Sequence, residues 1–324
     1  MNIDINEENF SEFSNEWSLL LNSYKDKTVF HTYTWHKVWW DTFSNNSDLK
    51  LLSIRNSDEL IGIAPFMIKD KSLSFMGDTN LFDYHDVILL HQSNIIYDNL
   101  WKYIQLLEWD KCVFKSLPNY SGFLNFFRQI DNKDFEIVIC EEDSVPVLNL
   151  NNTWEEYLQN LNKKHRHELK RKFRRLNDTN KNIKQYFSKN ASTIDYELTE
   201  FFRLLKLSSP EKSDFLTEEI ESFFTKIFKA LFKENILRLY FMEIDDTKVA
   251  ACICFAYNNV YSLYNSGYDT NYSYLSVGLL NKALCIKESL ELNYDKFNFL
   301  RGSERYKYSL GGMDQKIFQI SITR

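Results

Sequence analysis

Residues 237–280 read LRLYFMEIDDTKVAACICFAYNNVYSLYNSGYDTNYSYLSVGLL. Leu237 to Ile244, Val249 to Tyr257 and Val260 to Ser266 are apolar and aromatic runs of strand length. Between them stand Asp245-Asp246 and Asn258-Asn259, residue types that accept the left-handed backbone of a two-residue hairpin. The stretch therefore predicts a three-stranded antiparallel meander. A loop follows, then helical spacing from Leu275 to Leu292 and a short strand from Lys296 to Leu300. Helices precede the meander around Trp154 to Leu176, Asp195 to Leu207 and Asp214 to Phe232.

The first half repeats that order. Phe10 to Tyr24 and Thr34 to Phe43 have helical spacing, with Trp35, Trp39 and Phe43 on one face. Strands are predicted over Leu49 to Arg55, Glu59 to Ile68 and Ser72 to Met76, turning at Asn56-Ser57-Asp58 and near Lys69-Asp70. A loop, a helix from Ile95 to Glu108 and a strand from Lys111 to Leu117 complete the unit. Helices, three antiparallel strands, loop, helix, strand, given twice, predict an internal duplication and an α/β fold with mixed sheets. The join is placed near Glu141-Glu142-Asp143, giving units 1–143 and 144–324, with a strand from Val145 to Leu150 opening the second.

The 324 residues suit about two domains. With 44% hydrophobic and 26% charged residues, a disordered or fibrous chain is excluded. Lys and Arg number 39 against 45 Asp and Glu, a net charge of −6 that gives the whole chain no drive towards nucleic acid or an anionic membrane. No apolar run nears the roughly 18 residues of a membrane span, and the acidic start lacks the pattern of a signal peptide, so a cytoplasmic location is expected. Five scattered cysteines without a CxxC argue against disulfides or zinc; Cys252 and Cys254 share a strand face and read as core. Only 8 glycines and 4 prolines occur, where roughly 20 and 16 are usual. Five of the glycines fall at Gly267, Gly278, Gly302, Gly311 and Gly312.

Four segments could carry chemistry. Ser276-Val277-Gly278-Leu279 opens the helix after the meander, where unpaired N–H groups and the helix dipole favour an anion; many helices start this way without a ligand. Arg301, Glu304 and Lys307 follow the last strand at three-residue spacing, as a substrate-handling trio or a surface ion-pair group. The run Lys163 to Arg175 holds eight Lys/Arg and one Glu on a helix with an apolar stripe, either a nucleic-acid surface or a solvated face. Asp83-Tyr84-His85-Asp86 could hold a polar substrate or fix a turn. No carboxylate or histidine cluster has metal-ligand spacing.

Together, WHKVWWDTF, DYHD, YLQNLNKKHRHELKRKFRRL, SSPEKSDFL, SGYDTNYSYLSVGLL and FNFLRGSERYKYSLGG resemble the BioF2-like or CelD-like type of GNAT-like acyltransferases, relatives of the FemABX peptidyltransferases. The resemblance implies two tandem GNAT-like units, the first degenerate and the second the acyltransferase, with acyl-CoA as co-substrate and no metal. It implies that Ser276, Val277, Gly278 and Leu279 bind the CoA pyrophosphate, Val277 standing where relatives more often have Pro. By the same likeness Glu304 is the general base with Asp269 in reserve, and Lys307 stabilises an oxyanion or a phosphate. Asp83, Tyr84 and Arg301 would position the acceptor between the units, and backbone N–H groups from Tyr264 to Gly267 would hold the pantetheine. Asn298 stands where relatives often carry Asp. The acceptor implied is a small polar molecule such as a sugar or polysaccharide precursor. Aminoacyl transfer from tRNA and a non-catalytic binding module are the alternatives.

Overall fold

A computed structural model describes residues 2–130, 134–150 and 153–324. It divides into two compact units, Met1–Ser144 with Gln315–Arg324, and Val145–Asp314. In the first lie β1 (Ile3–Glu7), α1 (Phe10–Ser23), α2 (Tyr33–Phe43), β2 (Asp48–Asn56), β3 (Glu59–Lys69), β4 (Ser72–Phe75), β5 (Ile88–Leu89), α3 (Asn94–Leu106), β6 (Lys111–Pro118) and α4 (Gly122–Gln129). A long strand, β7 (Glu136–Asn149), crosses the boundary. The second unit holds α5 (Trp154–Asn160), α6 (Lys163–Asn177), β8 (Ile183–Phe187), α7 (Ile194–Ser208), α8 (Pro210–Phe215) and α9 (Glu218–Lys233). Then come β9 (Leu237–Ile244), β10 (Thr247–Tyr257), β11 (Val260–Tyr268), α10 (Val277–Glu291), β12 (Lys296–Asn298) and α11 (Arg305–Ser309). The last strand, β13 (Met313–Thr323), ends in the first unit.

Both meanders form as their turns dictate. Thr247 pairs with Ile244 and Tyr257 with Val260, leaving two-residue loops. All four loop residues have positive φ, from 50° to 61°, as a hairpin matching the right-handed strand twist requires. Asp70 and Lys71 do the same between β3 and β4. In each unit the third meander strand then pairs parallel with the strand after the helix: β4 with β6, and β11 with β12. An edge strand adds antiparallel to the first meander strand, β1 on β2 and β8 on β9. The two units thus share one strand topology.

The sixth strands are exchanged. In sequence β7 follows β6 and β13 follows β12, yet β13 pairs with β6 and β7 pairs with β12, both antiparallel. Ile320 and Ile322 of β13 are fully buried in the first unit's core with Leu52, Phe66 and Phe114. The division therefore departs from the expected 1–143 and 144–324 at the chain's end, where alternating apolar residues supply a strand to the first unit. The helix expected from Trp154 to Leu176 is two, because Leu161 is extended and the Asn162 side chain accepts from Lys164 N–H to start α6 anew.

Candidate functional site

The parallel pairing of β11 with β12 stops at Ser262–Asn298, while β11 runs on to Tyr268. A register shift between Ile253 and Cys254 makes Tyr264 the extra residue of a bulge facing β10. Past the bulge, Ser266 N–H donates to the Asn265 side chain at 2.8 Å, and Ser266 C=O accepts from Lys212 Nζ. Two backbone groups on this strand are thus covered by side chains. An edge of that kind can accept an extended ligand by strand-like pairing.

Next along the chain, Asp269 caps a 3-10 turn over Thr270–Leu275, its Oδ1 accepting from Asn271 N–H at 2.9 Å. Ser276 then takes the left-handed conformation, φ 59°, and α10 begins. Its hydroxyl does not cap the helix but accepts from Lys172 Nζ of α6 at 2.9 Å. Arg175 of the same helix donates to Tyr274 C=O at 2.8 Å. The basic helix therefore brings two cations to the start of α10, where helix geometry favours an anion, although Leu279 N–H already donates to Ser276 C=O at 3.1 Å. Val277 is buried and Leu279 half-buried. Gly278 has a packing reason of its own: a Cβ there would meet the Tyr268 ring at 2.9 Å.

Beyond β12 the backbone turns through Leu300 at φ 58° and Gly302 at φ 108°. Two side chains hold it. Asn298 Oδ1 accepts from Leu300 N–H at 2.8 Å, a bond that a carboxylate oxygen could equally make. Lys307 is 2% exposed and its Nζ donates to the carbonyls of Leu300 (3.0 Å), Arg301 (2.5 Å) and Gly302 (3.1 Å). Glu304 adds a carboxylate oxygen at 2.9 Å. Four acceptors surround three protons, so Lys307, expected to stabilise an oxyanion, holds this turn together. Glu304 keeps its second oxygen and is more than half exposed, open to a substrate.

Two lysines that the sequence reading did not single out face the same place. Lys282 of α10 is 8% exposed, donates to Gly278 C=O at 3.2 Å and lies 4.7 Å from the Tyr306 ring centre. Burial pushes its ammonium down, and the Cys252, Cys285 and Glu304 side chains oppose that. Lys212 of α8 is pushed down to about 8 by burial and then by the Lys282 charge, with Glu304 again opposing. Lys212 hid in SSPEKSDFL, which reads as a capped turn and is one, Ser209 capping α8. The signal for Lys282 was its place in a helix buried on nearly every side.

Asp83 and Tyr84 belong to the first unit, Asp83 half-buried and Tyr84 buried; Arg301 belongs to the second and is half-buried. Beside them in sequence, Asp86 is buried, with Oδ1 accepting from Ser121 Oγ and from Val87 N–H, both at 2.8 Å. Burial raises its carboxyl to about 7. Trp154 and Leu158 of α5 with His167, Lys170, Phe173 and Arg174 of α6 line an open groove of about 540 Å³. Among the described residues no group of three or more His, Cys, Asp or Glu is placed to hold a metal. Nor is any helix there long and apolar enough to cross a membrane.

Residues 163–308, within the second unit, match the model of the acetyltransferase (GNAT) domain. No curated protein matches the chain. Among solved structures, FemX is similar with 11% identity and a TM-score of 0.64, over 98% of this chain and 96% of that one. The C-terminal domain of a candidate lysylphosphatidylglycerol synthetase from Agrobacterium fabrum has 8% identity and a TM-score of 0.62, over 97% and 92%. A tandem GNAT protein from the clavulanic acid biosynthesis pathway has 9% identity and a TM-score of 0.53, over 98% of each chain. Identities this low speak to fold alone.

Proposed function

We propose that this chain, whose fold is GNAT-like and FemABX-related with two GNAT-like units, is an acyltransferase. It moves an acyl group from acyl-CoA to an amine or hydroxyl of a small polar acceptor, by direct attack. The observation that carries this is the stretch of β11 left without β12 beyond Ser262, running into the start of α10 inside the region that matches the GNAT model. Ser276, Val277, Gly278 and Leu279 would meet the pyrophosphate, with Lys172 beside Ser276 as its nearest cation. Backbone groups from Tyr264 to Gly267 would hold the pantetheine, Asn265 and Lys212 turning aside. The bound thioester supplies the acyl group. Glu304 takes the proton as the acceptor's nitrogen or oxygen forms its bond to the acyl carbon, and the sulfur leaves as the C–S bond breaks. Asp269, one oxygen already committed to its turn, is the reserve base. Lys307 acts by positioning Glu304. Asp83, Tyr84 and Arg301 are assigned to the acceptor, for which a sugar or polysaccharide precursor is the preferred class.

Calorimetry with acetyl-CoA tests the donor. Lys172→Glu is expected to weaken binding at least tenfold; unchanged affinity rejects the pyrophosphate site. Glu304→Gln is expected to lower turnover by about 100-fold or more without loss of stability, in the range of general-base removal. Full activity in that variant rejects the base assignment.

A second reading, transfer from aminoacyl-tRNA, is favoured by the solvent face of α6, where Lys163, Lys164, Lys170, Arg171, Arg174 and Arg175 are all exposed. Salt-sensitive tRNA binding lost on neutralising Lys170, Arg171 and Arg174 would select it over acyl-CoA.

A further inference from the structure

The second unit contains a charge imbalance that the transfer chemistry does not use. Lys282 is more than nine-tenths buried, and its ammonium contacts one carbonyl and the face of one aromatic ring. Lys212 reaches one carbonyl, Ser266. Among the described residues neither forms an ion pair, because the one carboxylate acting on both, Glu304, is bonded to Lys307. A buried cation without a counter-charge costs several kcal/mol unless something compensates it. Here the half-buried Lys212 acts on the buried Lys282 as well, so each makes the other's charge less stable. Each retains ammonium protons beyond those used on Ser266 and Gly278. The arrangement has the chemistry of an oxyanion receptor whose anion comes from outside the chain.

Its contacts differ from those of Lys172 at the helix start. Lys282 Nζ bonds to Gly278 C=O at 3.2 Å in the first turn of α10 and faces Cys252 and Tyr306, whereas Lys172 meets Ser276. Lys212 approaches from α8 onto the strand that the proposed function makes the transfer edge. An anion held by both lysines would lie between Ser266 C=O on the proposed transfer edge and Gly278 C=O in the first turn of α10.

We propose that Lys212 and Lys282 form a receptor for a carboxylate or phosphate carried by one of the two substrates, either on the acyl group or on the acceptor. The inference rests on the acyl-transfer reading for which substrate brings the anion, and its first test does not require CoA at all. The intact chain is titrated with succinate and with inorganic phosphate by calorimetry and by thermal shift. Wild type is expected to bind at least one of them saturably and to melt at a higher temperature in its presence. Lys282→Met, which keeps the aliphatic stem and removes the buried charge, is expected to fold with a Tm no lower than wild type. Lys212→Gln keeps a donor for Ser266. Both are expected to weaken anion binding at least tenfold and to abolish the anion-dependent rise in Tm.

Absence of saturable binding to wild type, or equal binding in both lysine variants, overturns the receptor. Loss in Lys172→Glu with both lysine variants unaffected also overturns it, by moving the anion to the helix start. Failure of acetyl-CoA to bind, with succinate or phosphate still lost in the lysine variants, would reject the acyl-CoA donor and leave the receptor standing. The source is read in a second arm. Tighter binding of succinyl-CoA than acetyl-CoA, with the difference erased by Lys282→Met, places the anion on the acyl group. Equal binding of the two, with succinate or phosphate still binding alongside acetyl-CoA, places it on the acceptor.

Discussion

Lys307 directs its ammonium at three carbonyls and a carboxylate, and none of those oxygens has another lysine within the turn. Lys307→Met would leave the three carbonyls short of a donor around a Leu in left-handed backbone, and is expected to cost about 3 kcal/mol in urea unfolding. Unchanged stability would restore a role at the substrate. Asp86 makes a different kind of prediction. Its carboxyl is raised to about 7 from an ordinary 3.8, mainly by burial, so the folded state holds the proton more tightly than the unfolded. The stability this provides is present in acid and is lost as pH rises from about 4 through 7. Asp86→Asn keeps the acceptor for Ser121 and Val87 and never ionises. Its stability relative to wild type is therefore expected to increase by roughly 2 kcal/mol between pH 5 and pH 8, measured by denaturant melts at both. Buried His31 and His36, lowered to about 3 and about 4, act oppositely below pH 6.5, but they are common to both proteins and cancel in the comparison. A difference that does not change with pH would contradict a buried, proton-holding Asp86. The scarcity of glycine is answered at this scale too: of the fourteen non-glycine residues with positive φ among the described residues, six are asparagines and three aspartates.

At the level of elements, what periodicity and turn chemistry could specify locally was readable. The two-residue turns at Asp245-Asp246 and Asn258-Asn259 need only the right side chains, and those fixed the meander's register. The strands β1 and β8 escaped because each is only five residues long, and the longer β13 because its alternation gains meaning only from the distant strand it joins. The site divided in the same way. Glu304 and Ser276 stand out as candidates by their motifs, whereas Lys282 stands out by burial, and Lys212 with it by a missing counter-charge, which no spacing encodes. Gly278 shows motif and packing in conflict. Its place at a helix start suggested room for a ligand, but the Tyr268 ring already fills the space a side chain would take. Gly278→Ala is accordingly expected to destabilise the ligand-free protein by about 1–2 kcal/mol, despite alanine's better helix propensity, and Tyr268→Leu to recover most of the loss. Additive effects in that double-mutant cycle would remove the packing explanation.

Across the whole molecule, the duplicated topology is completed by exchange of the sixth strands, so the last ten residues stabilise a unit whose other strands lie more than 170 positions earlier. Burial of Ile320 and Ile322 is worth about 1.5–3 kcal/mol for each side chain. Ending the chain after Asp314 is expected to speed amide exchange in β6 while β9 and β10 of the second unit keep their protection. Uniform loss across both units would contradict the division. That independence allows the central claim to be read unit by unit: the open stretch of β11 and the start of α10 form an acyl-donor site in the second unit. Amide hydrogen exchange of the intact chain, with and without saturating acetyl-CoA, measures it most directly. The account predicts slowed exchange at residues 264–268 and 277–279, with the first unit's meander unchanged. No protection in either segment, or protection confined to the first unit, would contradict it.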